Sequence, residues 1–72
     1  MKFRMYQEVI VPSSIPTDIG DVAKSRPGDV GTIIDIFTNT EGMVGYEVDV
    51  NDPEKPGTLY CATFMESEIW AK

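Results

Sequence analysis

Carboxylates are the abundant reactive groups in this 72-residue chain: twelve acids stand against six bases, with a single cysteine, Cys61, and no histidine. Three of the acids sit at strand-like spacing. Glu47 and Asp49 alternate with apolar residues in "VGYEVDV", and Asp35 lies in "VGTIIDIF" just before a turn. A tight turn over residues 38–43 would set Asp35 opposite Glu47, with Asp49 two residues along on the same face. Like charges directly opposed across two strands cost some tenths of a kcal/mol, which a sequence selected for folding alone has no need to accept. Such a group can act in three ways. It can do paired-carboxylate acid–base chemistry, hold a divalent cation through oxygen ligands, or meet a basic protein. Carboxylate catalysis of the glycosidase kind needs a substrate cleft between the two groups. A chain this short buries only about 60% of its unfolded surface and has little room for one. A solvated face with no site is the plain alternative.

The other reactive types narrow the choice further. Without histidine there is no Ser-His-Asp triad, no Cys-His pair and no Cys/His zinc cluster. Cys61 cannot form an intramolecular disulfide, and it alternates with Leu59 on an expected inward face, where a thiol packs as a small hydrophobe. In "RPGDVG", Gly28 and Gly31 bracket Asp29-Val30. A phosphate cradle wants converging N–H groups at a helix N-terminus and a nearby base, whereas here a strand follows and Asp29 would repel the ligand. We expect a barrel corner, with Gly28 in a turn and Gly31 letting the strand pass close to its neighbour. Tyr60 and Trp70 are candidate interface anchors, since aromatic residues dominate protein contacts. Their alternative is structural, with Trp70 closing the barrel end and Tyr60 packing under a long loop. No catalytic residue, cofactor or metal is expected.

These residues need strands to position them, and the chain reads as strands throughout. Short apolar/polar alternations are bounded by Gly, Pro and Asn. The first is placed at Tyr6–Val11, with Val9 and Val11 inward and Glu8 and Ile10 outward. Residues 12–28 form a long connection in which Thr17–Lys24 could make one helical turn, capped by Thr17 or Asp18. Further strands are expected at Val30–Phe37, Val44–Val50 and Thr58–Phe64. "MESEIW" then reads as a short 3-10 turn before a stub at Ile69-Trp70. The fold class is therefore all-β: one domain over residues 1–72, a small SH3-like, partly open barrel of about five strands. An OB-type barrel is the alternative.

"YQEVIV", "SIP", "PGDVGTIIDIF", "GYEVDV" and "LYCATFMESEIW" together resemble small bacterial proteins of the family catalogued as domain of unknown function 4926, over about Tyr6 to Trp70. The resemblance implies an SH3-like barrel, no established enzymatic activity, and an association with toxin–antitoxin or immunity pairs. Gly28 to Ile36 is also similar to part of the KOW motif of RNA-associated barrels, with Asp29 and Asp35 in place of that motif's bases.

A net charge of −6 argues against nucleic acid and against anionic membrane surfaces, both of which call for a basic footprint. It suits a basic protein partner, with complementary fields speeding encounter. The expectation is a cytoplasmic, non-enzymatic interaction domain without a signal peptide or membrane span, of the antitoxin, immunity or accessory-subunit kind. It would bind through Asp35, Glu47, Asp49, Trp70 and Tyr60, and homodimerisation stays open. The alternatives are a KOW-like module using Lys2, Arg4, Lys24 and Arg26 on one face, and a subunit docked on a larger enzyme.

Overall fold

The β-branched run after Gly31 is the spine of the molecule. In a computed structural model, which describes residues 2–72, strand β3 (Val30–Thr38) pairs antiparallel with β4 (Val44–Asn51), and β4 pairs with β5 (Thr58–Met65). On the other side of β3 lies the short β1 (Glu8–Ile10), followed by β6 (Trp70–Ala71) at the edge. A two-residue strand, β2 (Ile19–Gly20), closes the opposite edge against β5. The order β2-β5-β4-β3-β1-β6 makes one all-antiparallel sheet, the arrangement expected of a small, partly open barrel. A 3-10 turn, Glu66–Glu68, precedes β6. Among the described residues no helix is long and apolar enough to cross a membrane.

Alternation along the strands decides the core. Tyr46 and Val48 of β4, Tyr60, Ala62 and Phe64 of β5, Ile33 of β3 and Val9 of β1 are all fully buried, joined by Val11, Ile69 and Phe3. Burial of these side chains is the main force holding the sheet, at about 1.5–3 kcal/mol for each large aliphatic or aromatic residue. Two buried hydroxyls anchor peripheral segments to it, those of Tyr46 and Tyr60. The Tyr46 phenol donates to Glu66 Oε2 at 2.6 Å and accepts the Phe3 N–H at 3.2 Å, tying the N-terminal segment and the 3-10 turn to β4.

The corner at residues 26–31 is as expected. Gly28 has φ 91°, a region closed to most side chains. A Cβ on Gly31 would run into the Val48 side chain and come within 3.0 Å of the Asp49 carbonyl oxygen. Only a glycine lets β3 lie so near β4 there.

Three expectations are corrected. The first strand spans Glu8–Ile10, not Tyr6–Val11. Tyr6 has φ 66° and lies in a turn whose Gln7 N–H reaches the Arg4 carbonyl. Residues 17–24 form no helical turn. The loop is extended, with Ile19–Gly20 added to β5 and Pro16 bridged to Lys24. Its backbone donors are satisfied by β5 at Asp18 and Asp21, which reach the Cys61 and Leu59 carbonyls. The sheet thus has six strands where about five were expected. The terminal stub is shifted by one residue: Ile69 is buried, and Trp70–Ala71 pairs with β1.

Candidate functional site

The outward face of the sheet gathers the acids, and strand register explains how. Asp35 of β3 lies opposite Glu47 of β4, as the 38–43 turn implied, and Glu47 lies opposite Thr63 of β5. One row along, Asp49 is flanked by Thr32 and Cys61, and Glu8 of β1 lies opposite Thr32. A register shift between Ile33 and Asp35 keeps the acid on this outward face although Ile33, two residues before it, points into the core. Asp18 then arrives from the long loop. Its N–H donates to the Cys61 carbonyl at 2.8 Å, which brings its carboxylate over Thr63.

Hydroxyls and a thiol hold this cluster. Thr63 Oγ1 is 2.8 Å from Asp18 Oδ2 and 2.6 Å from Glu47 Oε1, and Thr58 donates to Asp49 Oδ1 at 2.8 Å. The Cys61 Sγ lies 3.6 Å from the same Asp49 oxygen. The ion pairs among the described residues are Arg26–Asp29 and Lys72–Glu8. Asp18, Asp35, Glu47 and Asp49 take part in neither.

The electrostatics follow from that grouping. Partial burial lifts the Glu47 carboxyl above its ordinary value, and contact with Asp18 and the nearby Asp35 charge add to the lift against the opposing Thr63 hydrogen bond. The Cys61 thiol is pushed up to about 11, first by burial, then by Asp49 and the more distant Glu47 and Asp18. Cys61 is buried, as expected, but not on the expected inward face: β5 turns residues 60, 62 and 64 inward, so the thiol lies on the side of Asp49 and is far from being an activated thiolate, which needs a neighbouring positive group.

The aromatic candidates separate. Trp70 is 59% exposed and sits beside Ile10, which in turn lies beside Val30, in a row on the same outward face. That apolar row is one step from Glu8 and Thr32, and three strand spacings, about 14 Å along the sheet, separate Trp70 from the line of Glu47. Tyr60 does not belong to any contact surface. It is fully buried, because β5 turns residues 60, 62 and 64 inward. Its hydroxyl donates to Asp29 Oδ2 at 2.8 Å and accepts the Arg26 N–H at 3.2 Å. Burial is the main reason its phenol is pushed up to about 12. Tyr60 is the pin that fixes the 26–29 corner.

An open groove of about 410 Å³ lies at the other end of the sheet, lined by Lys2, Met43, Val44, Met65 and Glu66 among others. Among the described residues no group of three or more acids and cysteines is placed to hold a metal ion.

Asp18 and Thr63 take part in the site without belonging to the candidate set read from sequence. Thr63 was within reach of sequence reasoning, since a register for the β4–β5 hairpin places it opposite Glu47. Asp18 had no such signal, because a long loop carries no register. Comparison with protein-family models, with curated proteins and with solved structures found no match to this chain.

Proposed function

We propose that this chain is a non-enzymatic, cytoplasmic interaction domain whose acidic outward face docks a basic partner protein. The observation that carries the reading is the gathering of Asp18, Asp35, Glu47 and Asp49 on one sheet face, with no cation paired to them among the described residues. Opposed like charges cost folding energy, and a partner's Lys or Arg side chains would offset that cost on binding. Trp70, Ile10 and Val30 supply an apolar row on the same face that approaches the acids through Val30, with Trp70 about 14 Å across the sheet from the line of Glu47, in keeping with interfaces that combine an aromatic hot spot with a polar rim. The biological setting suggested by the sequence resemblance is bacterial, with an antitoxin, immunity or accessory-subunit role.

The test is a residue-resolved titration of the labelled protein with a short lysine-rich peptide carrying one tryptophan. The reading expects shifts centred on Asp35, Glu47, Asp49 and Trp70 that fade as salt is raised. Shifts spread evenly over all acids, including Glu54 and Glu41 in the turns, would overturn it. A low-salt complex with single-stranded RNA would instead favour the KOW-like alternative.

A further inference from the structure

The Thr63 hydroxyl has one proton and two carboxylate neighbours. Its Oγ1 is 2.8 Å from Asp18 Oδ2 and 2.6 Å from Glu47 Oε1. It can donate to only one of them. The other short contact is attractive only if that carboxyl itself carries a proton and donates to Thr63. With both acids ionised, one contact becomes lone pair against lone pair, between two like charges.

We propose that Asp18, Thr63 and Glu47 form a proton-held clasp that fastens the long loop to the sheet and loosens when the shared proton leaves. Every charged group facing the clasp favours the proton. Asp35 faces Glu47 from β3 and Asp49 lies two residues along β4, while the Cys61 thiol, pushed up to about 11, adjoins on β5 uncharged. Among the described residues no Lys or Arg pairs with either acid. The raised Glu47 value is in the direction this geometry requires.

The clasp matters because little else holds that edge. Strand β2 has two residues, and its neighbouring ties are the Asp18 and Asp21 amides on the Cys61 and Leu59 carbonyls at 2.8 and 2.9 Å. Releasing the proton would free the edge of β5. The direction in pH follows from linkage. A carboxyl whose folded value is raised binds its proton more tightly in the folded state than in the unfolded one. Its stabilising contribution is full below the ordinary value of 4.5 and is lost as pH rises through the raised value. The clasp is a property of the fold and stands whether or not the acidic face binds a partner.

The test combines a carboxyl carbon NMR titration with amide exchange. In the wild type, Glu47 should titrate above the ordinary carboxylate range. Protection factors at Asp18 and Asp21, taken relative to β3 and β4 amides, should fall as pH passes that value. The fall should reach up to about tenfold for every pH step by which Glu47 titrates above an ordinary carboxylate. In Glu47→Gln the amide donates to Thr63 at every pH, so the relative protection should stay flat. A Glu47 that titrates at or below the ordinary value overturns the proposal. So does loop protection that ignores pH, or that falls equally in Glu47→Gln.

Discussion

Ser25→Ala should cost this domain about 2 kcal/mol, although the residue lies in a loop. Ser25 is 1% exposed. Its Oγ accepts the Ile15 N–H at 2.9 Å and donates to the Ser13 carbonyl at 2.7 Å, while its own N–H donates to the Ile15 carbonyl at 2.8 Å. Alanine keeps the backbone bond and deletes the other two. Each intramolecular hydrogen bond is worth about 1 kcal/mol net, and a buried group left without a partner costs roughly 1–3 kcal/mol. In a domain of this size, a loss of about 2 kcal/mol lowers Tm by roughly 8–16 °C. Thermal unfolding followed by circular dichroism measures it. Urea unfolding should show a lower midpoint with an unchanged slope. Ser13→Ala is the control, because Ser13 contributes its carbonyl to this tether and that group survives the change. A Ser25→Ala midpoint within about 2 °C of wild type would mean that the Ser25 hydroxyl does not hold the two arms of the loop together.

Gly31→Ala should destabilise by about 1–3 kcal/mol through overpacking against Val48, Val50 and the Asp49 carbonyl; urea unfolding reads it, and a neutral result would show that β3 and β4 can separate there. Cys61, with its thiol pushed up to about 11, should label slowly with a thiol reagent at pH 8 when folded and quickly in denaturant, and Asp49→Asn should speed the folded reaction by lowering that value. Trp70→Ala should change stability by no more than about 0.5 kcal/mol, as for most exposed positions, while weakening peptide binding in the titration above. Equal binding by that variant would remove Trp70 from the contact.

The parts of this fold that were legible in the sequence are those governed by alternation and by short turns. Val44, Tyr46, Val48 and Val50 read directly as a buried stripe, and the turn after Thr38 fixed Asp35 against Glu47. The 3-10 turn at Glu66–Glu68 was visible as an interruption between Phe64 and the final apolar pair. The parts that were not legible depend on tertiary context. The segment from Thr17 to Lys24 has residues that could cap a helix, but β5 offers a free edge and takes it as β2. Tyr60 carries the composition of an interface anchor, yet the parity of β5 turns it inward, where its hydroxyl finds Asp29 and the Arg26 amide. Tyr6 continues an apolar–polar alternation that its positive φ breaks. At the site, register delivered Asp35, Glu47 and Asp49 together, while Asp18 was brought in by loop backbone bonds that no periodicity encodes.

The most direct test of the acidic docking face is a matched pull-down from the native cell with the tagged wild type and with the double variant Glu47→Lys, Asp49→Lys. The account predicts that the wild type retains a basic protein at low salt. The same protein should be absent from the folded double variant, and raised ionic strength should elute it from the wild type. Retention of that protein by the double variant, or a wild type that retains no basic protein at low salt, would contradict it.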